Sequence, residues 1–321
     1  MMHSFEQLSA EFATRFDISH FPSSPESLYA PADYFLRLGG KRVRPVMCLM
    51  GNELFGEIED DAWHLAAAIE LFHNFTLIHD DIMDKAPLRR GKPTVHEKYG
   101  ASTALLAGDV MLVTAYDYIN RVKADTRAIF QLFNATARAV CEGQQTDMDF
   151  ESRERVGLDE YLRMIEWKTS VLLAASLQMG SILGGAGLGN QGHLYEFGKL
   201  LGLAFQIQDD YLDAFGDPAK FGKQVGGDIV AGKKTFLLIR TLEQASAAQH
   251  KEIRELQRAE PVARVEGMLR LFKACGVDAW ARELKDKYME AALRHLEDIA
   301  VLSRRKEPLQ QLAGFLVQRE Y

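Results

Sequence analysis

Asp80, Asp81 and Asp84 fall within five residues, and Asp209, Asp210 and Asp213 repeat the same DDxxD spacing further along the chain. On an α-helix, positions i and i+4 share a face, so Asp80 sits over Asp84 and Asp209 over Asp213. Like charges that close weaken a helix, and neither set has a cation at i+4 to neutralise it. Both sets end strongly apolar runs, LFHNFTLI and LLGLAFQI, so a solvated acidic face explains them poorly. Carboxylates alone, few per ion, suit a hard cation. Magnesium fits best, because it keeps several waters and shares its ligands with phosphates. Calcium loops and zinc-type His/Cys clusters are absent, and Glu70 with His73 makes only one of the two Glu-x-x-His pairs a di-iron bundle needs.

The chain also carries groups that could hold the phosphates. GGKRVRP (residues 39–45) places Lys41, Arg42 and Arg44 after a glycine pair. Arg89 and Arg90 follow the first aspartate set, Lys168 opens a long uncharged stretch, and Lys223 and the Lys233 of GKKT follow the second set. Each alone reads as an ordinary helix-end charge. Together with two carboxylate sets they suggest two anion sites, arginine gripping phosphate bidentately and lysine supplying a point charge.

These residues must be positioned by helices. Apolar residues recur at three- and four-residue intervals throughout, strand alternation is nearly absent, and Gly and Pro fall mostly between the periodic runs. The pattern predicts one all-α domain over residues 1–321 whose central helices are apolar nearly all round, with more charged outer helices over 245–321. Residues 169–195 lack Asp, Glu, Lys and Arg and are long enough to span a bilayer. Ser170, Ser176, Gln178 and Ser181, followed by GGAGLGNQG, predict instead a buried helix and then a loop. GLGNQG matches the dinucleotide-binding pattern, but a helix and not a strand precedes it. Hydrophobic residues make up 47% of the 321 and charged residues 26%, with a net charge of −7, which argues against a nucleic-acid partner. Three distant cysteines and an N-terminus without an apolar signal run fit a reducing cytoplasm.

The ordered pieces GGKRVRP, HDDIMD, RRG, GQQTD, KT at Lys168, FQIQDDYLD, GK at Lys223 and GKK at Lys233 resemble the trans-isoprenyl diphosphate synthases of the polyprenyl synthase family. The likeness runs from residue 39 to about 235. It implies an all-α fold with helices around a deep central cavity, usually as a homodimer, joining an allylic diphosphate to isopentenyl diphosphate. It further implies that Asp80 and Asp84 hold two magnesium ions and Asp209 a third, with Asp81, Asp213 and Asp147 acting through water or through the ligands. Arg89, Lys168, Lys223 and Lys233 would contact the allylic diphosphate. Gly40, Lys41, Arg44, His73 and Arg90 would bind isopentenyl diphosphate. Thr169, Gln206 and the Lys168 carbonyl would face the allylic cation.

In the family an aromatic five residues before the first aspartate goes with short products. Phe75 holds that place, with Phe72 and Thr76 beside it, and the expected product has fifteen or twenty carbons, twenty being favoured. A class I terpene cyclase would share the metal-triggered ionisation but needs no second diphosphate site. A non-catalytic partner subunit of a heteromeric synthase would typically have lost aspartates that this chain keeps.

Overall fold

The Ser4 hydroxyl accepts the Gln7 backbone N–H, and the Gln7 side chain accepts the Ser4 backbone N–H in return. This capping box opens the first of a long series of helices. They are seen in a computed structural model that describes residues 2–216 and 225–317. In order they are α1 (Phe5–Phe16), α2 (Glu26–Arg37), α3 (Val43–Glu53), α4 (Asp60–Met83), α5 (Val95–Tyr99), α6 (Ala101–Asn120), α7 (Arg127–Ser152) and α8 (Leu158–Ile165). A π-helical turn, Glu166–Ser170, leads into α9 (Val171–Leu183). Then come α10 (Leu188–Phe215), α11 (Gly227–Ala231), α12 (Phe236–Gln244), α13 (Ala247–Leu256), α14 (Pro261–Ala274), α15 (Val277–Glu297) and α16 (Ser303–Val317). The all-α expectation holds, and helices continue through the charged stretch after residue 245.

Among the described residues the one departure from helix is a two-stranded antiparallel ribbon, β1 (Leu88–Arg89) with β2 (Lys92–Pro93). Its central residues, Arg90 and Gly91, both have positive φ (54° and 73°), as a type I′ hairpin requires. No helix among the described residues is long and apolar enough to cross a membrane. The uncharged stretch is the predicted buried helix α9, but the loop after it is shorter than GGAGLGNQG suggests. It spans only residues 184–187, and LGNQG already forms the first turns of α10. Gly189 falls among the first four residues of the helix, whose N–H groups have no intrahelical partner. Gln191 Nε2 also donates to the Ala186 carbonyl at 2.7 Å, and Asn190 Oδ1 accepts the Ala300 N–H at 2.9 Å, pinning the helix start.

The chain divides into two compact units. One comprises Met1–Asn134, Ala175–Leu194 and Ala300–Pro308; the other comprises Ala135–Ala174, Tyr195–Ile299 and Leu309–Tyr321. In the first, α4 is buried along most of its length and packs most extensively on α6. Gly108 of α6 makes the notch for α4: a Cβ there would lie 2.3 Å from His79 Nε2. In the same unit α3 and α9 approach backbone to backbone. A Cβ on Gly180 would lie 1.9 Å from the Cys48 carbonyl oxygen, and one on Gly51 would lie 2.4 Å from that of Leu177. The second unit has its own core, centred on Ile165, Leu203, Ile207, Phe236, Leu271 and Phe272. Cys48, Cys141 and Cys275 are free, as their separation in sequence implies.

Candidate active site

In the first unit, α4 ends on the aspartate set. Lys85 (φ 51°) turns left-handed, the Ala86 N–H reaches the Asp81 carbonyl at 3.0 Å, and the Lys85 N–H reaches that of Ile82 at 3.3 Å. This Schellman ending fixes Asp80, Asp81 and Asp84 on the last turn. A helix C-terminus carries partial negative charge, so carboxylates there are disfavoured twice, by the dipole and by each other. The missing cation is supplied in part from outside the helix. Arg89 Nε donates to both Asp81 oxygens at 2.9 and 2.8 Å, and its Nη2 lies 3.8 Å from Asp80 Oδ2. Asp81 is buried, Asp80 half-buried and Asp84 exposed.

Beside this turn the loop between α2 and α3 and the ribbon bring cations together. Arg42 (φ 53°) ion-pairs with the buried Glu70, which also accepts from Asn74 Nδ2 at 3.0 Å. Glu70 is therefore committed to an arginine and not to an iron pair with His73. Arg44 donates to His73 Nε2 at 3.1 Å, which places the imidazole proton on Nδ1. Burial and then Arg44, Arg90, Arg89 and Arg42 push His73 well below its ordinary range, so the ring is neutral. Burial lowers Arg44 to about 10, and its Nε is buried with no hydrogen-bond partner. Arg90, held left-handed at about 1–2 kcal/mol of backbone cost, lies against Gly40: a Cβ there would sit 2.9 Å from Arg90 Nη2. Lys41 is exposed. Gly40, Arg44, His73 and Arg90 thus gather as the sequence suggested, with arginines in excess of carboxylates.

Behind Asp80 on α4, Phe72 is buried and meets Phe133 edge-on at 5.1 Å between ring centres. Phe75 is half-buried, 5.6 Å from Phe72 and 4.8 Å from His79. Thr76 turns its hydroxyl back onto the His73 carbonyl at 2.8 Å.

In the second unit the π turn presents Lys168 and Thr169. It is flanked closely by two glycines: a Cβ on Gly143 would lie 2.4 Å from the Lys168 backbone nitrogen, and one on Gly202 2.7 Å from Ser170 Cα. Lys168 Nζ pairs with Asp147 Oδ2 at 2.7 Å. Thr169 Oγ1 donates to Gln206 Oε1 at 3.2 Å, and Gln206 Nε2 donates to Asp210 Oδ1 at 2.9 Å. The Tyr161 hydroxyl donates to Asp210 Oδ2. Burial, and then the charge of Asp228, push the Asp210 carboxyl up to about 7. Asp213 Oδ2 accepts the Asp228 N–H at 3.0 Å, and Lys233 Nζ lies 3.7 Å from Asp228 Oδ1. Lys234 is turned away, onto the Phe150 carbonyl at 2.8 Å. Asp209 is half-buried on the last turns of α10. Lys223 lies outside the described residues.

The sequence profile of the polyprenyl synthetase family matches residues 25–272. The chain belongs to the polyprenyl synthetase family. It is 36% identical to a short chain isoprenyl diphosphate synthase of Methanothermobacter thermautotrophicus, over 93% of this chain and 92% of that one. It is 40% identical to a geranylgeranyl pyrophosphate synthase of Geoglobus acetivorans, over 92% of each. A crystal structure of a geranylgeranyl pyrophosphate synthase superposes with a TM-score of 0.94 at 40% identity, covering all of both chains.

Within this polyprenyl synthetase fold, sequence reading gave no role to Tyr161, Asp210, Glu70 or Asp228. Asp210 was visible as the middle carboxylate of its motif. Nothing in the spacing marked its tyrosine, because that partner comes from α8. Among the described residues no group of three or more His, Cys, Asp or Glu side chains is arranged to hold a metal. An all-oxygen donor set with few carboxylates per ion still suits magnesium, whose remaining ligands are waters and phosphate oxygens.

Proposed function

We propose that this chain condenses an allylic diphosphate with isopentenyl diphosphate, head to tail, to give a trans-prenyl diphosphate of fifteen to twenty carbons and pyrophosphate. The observation that carries this reading is the Arg44–His73–Arg90 group. A half-buried arginine whose Nε is buried without a hydrogen bond, set beside a neutral imidazole, asks for an anion, and it lies in the same unit as a carboxylate turn suited to a metal–diphosphate. A terpene cyclase has no need of that second anion site, and a non-catalytic subunit has no need of two complete aspartate sets. Residues 1–321 are read as one synthase domain, because the family profile and the solved structure run through both units. The exposed apolar stripe of Leu105, Leu106 and Val113 on α6 suits a second copy of the chain.

Asp80, Asp84 and Asp209 would hold magnesium ions, three in all, with Asp81, Asp147 and Asp213 orienting the ligands and waters. Magnesium, when bound, spreads the charge of the departing diphosphate. Arg89, Lys168, Lys223 and Lys233 add fixed positive charge to the same leaving group. The allylic C–O bond breaks with its electron pair going to diphosphate. Thr169 Oγ1, Gln206 Oε1 and the Lys168 carbonyl turn lone pairs toward the cation without being strong nucleophiles. Gly40, Lys41, Arg44, His73 and Arg90 hold isopentenyl diphosphate so that its double bond attacks the cation. The new tertiary cation then loses a proton to the released diphosphate. Apolar walls keep water from the cation. The test is incubation of the purified chain with labelled isopentenyl diphosphate and an allylic primer, with and without EDTA. Product from the primer alone would instead show a cyclase, and no turnover would show a partner subunit.

The two arginines of the hairpin should separate by substrate. Arg89 is turned to Asp80 and Asp81, whereas Arg90 lies against Gly40. Arg90→Ala is expected to raise chiefly the KM for isopentenyl diphosphate, and Arg89→Ala to impair chiefly the allylic partner. Each loses a charge-assisted contact of about 1.5–3 kcal/mol, roughly ten- to a hundredfold. Equal effects on both substrates from both changes would contradict the assignment.

Product length should be set below the aspartate turn. Helix rise places Phe75 about 7.5 Å and Phe72 about 12 Å below Asp80, and one turn of about 5.4 Å is close to one extended isoprene unit. Phe75→Ala is expected to lengthen the product by at least one unit, and adding Phe72→Ala to lengthen it again. Because Phe72 also packs on Phe133, its removal should lower the unfolding midpoint as well. Chromatography of the dephosphorylated products decides, and unchanged length in both variants would place the floor elsewhere.

A further inference from the structure

The proposed chemistry gives no role to two buried residues, Tyr161 and Asp210. Tyr161 of α8 donates to Asp210 Oδ2, and Gln206 Nε2 donates to Asp210 Oδ1 at 2.9 Å. Thr169 Oγ1 closes the chain by donating to Gln206 Oε1 at 3.2 Å. A primary amide is nearly symmetric in shape, so its orientation is set by its partners alone. Asp210 bears acceptors, so it draws the NH2 end of Gln206, and the oxygen is left facing Thr169. Thr169 then spends its single proton on Gln206, and its own lone pairs point elsewhere. The Tyr161 hydroxyl has one proton, and against an Asp210 carboxylate oxygen it donates it.

We infer that Tyr161 and Asp210 are positioning residues that fix the polarity of the Gln206 amide, so that oxygen lone pairs and not N–H groups face the allylic cation. This rests on the reading of Thr169 and Gln206 as cation-facing groups. With Asp210 tethered on one oxygen only, the carboxylate is free to turn and the amide to invert. An inverted amide directs partial positive charge at a carbocation. The barrier to ionisation then rises while the diphosphate contacts, made by other side chains, stay as they are. A larger share of the cation that does form survives long enough to be captured by water, giving the free prenol.

The test is a double-mutant cycle on the full-length protein with Tyr161→Phe, Gln206→Met and the pair. Tyr161→Phe is expected to lower kcat roughly tenfold, the scale of one buried hydrogen bond to a charged group. KM for both substrates and the magnesium concentration for half-maximal rate should stay unchanged, and the prenol fraction should rise. In the Gln206→Met background the same change should alter kcat by less than about twofold, since no amide remains to orient. Equal losses in both backgrounds, or a loss confined to KM or to the magnesium requirement, would overturn the inference. So would an unchanged kcat in Tyr161→Phe. If Tyr161→Phe does not fold, Asp210→Asn in the same two backgrounds serves instead. Its amide can present N–H to Gln206 and reverse it outright, so an additive effect of Asp210→Asn also overturns the inference. A wild-type protein that forms no prenyl diphosphate would sink the proposed reaction itself, whereas an active wild type with an additive cycle would sink only the role of Tyr161.

Discussion

Asp80→Ala and Asp209→Ala should each lower turnover by roughly a thousandfold, the scale seen when a preorganised charge stabiliser is removed. A diphosphate bears nearly three negative charges and leaves only when that charge is shared. Each aspartate has two more carboxylates of its own motif within four residues, which oppose its charge on a helix. Removing it relieves that repulsion in the metal-free protein, and the unfolding midpoint in EDTA should change little. Asp81→Ala provides the contrast. Asp81 is buried and takes two hydrogen bonds from Arg89, so its loss strands a cation and should lower stability as well as rate. Near-normal turnover of Asp80→Ala or Asp209→Ala in EDTA, or a large fall in their midpoints, would remove the metal assignment.

Gly180→Val should produce the largest loss of stability of any single change considered. The glycine's missing Cβ lies 1.9 Å from the Cys48 carbonyl oxygen and 3.0 Å from the Asn52 backbone nitrogen, and neither is a side chain that can swing away. α3 and α9 would have to separate, forfeiting close packing along the whole crossing. The expected cost is about 3–5 kcal/mol, at the upper end for overpacking and above the usual range for point changes. That is a fall of roughly 10 °C in midpoint. Because α3 carries Arg44 and α4 carries His73, the KM for isopentenyl diphosphate should rise too. Gly189→Ala, in α10 with open space around its missing Cβ, should instead be neutral or stabilise by up to about 1 kcal/mol. Calorimetry of the two variants separates a packing glycine from an incidental one; similar midpoints would mean the crossing can open freely.

What the sequence made legible was chemistry repeated at helical spacing. Two DDxxD sets, a glycine-preceded basic cluster and long apolar runs are all local patterns, and the helices appear where those patterns place them. Less legible was whatever depends on a partner distant in the chain. Arg89 neutralises Asp81 from a ribbon that two-residue strands are too short to announce, and Tyr161 reaches Asp210 from another helix. Arg-Gly at the centre of a type I′ hairpin is also a poor advertisement, since Asn-Gly or Asp-Gly is the usual signal there. The start of α10 was obscured by Gly189 and Gly192, which sit in its first turns, where the helix has few intrahelical hydrogen bonds to hold.

The π turn between α8 and α9 has a consequence for how this chain can change. It is one residue wider than an α-turn, so everything after it is rotated by about 100° relative to an uninterrupted helix. Tyr161 lies in the helical phase before the turn, and Val171 to Leu177, every one of them buried, lie in the phase after it. Point substitutions on either side can be absorbed separately. A one-residue deletion within Glu166–Ser170 cannot, since restoring a regular helix satisfies one phase only by misaligning the other. Insertions and deletions should therefore be far less tolerated here than in the loop at 184–187, where the chain changes direction without a register to keep.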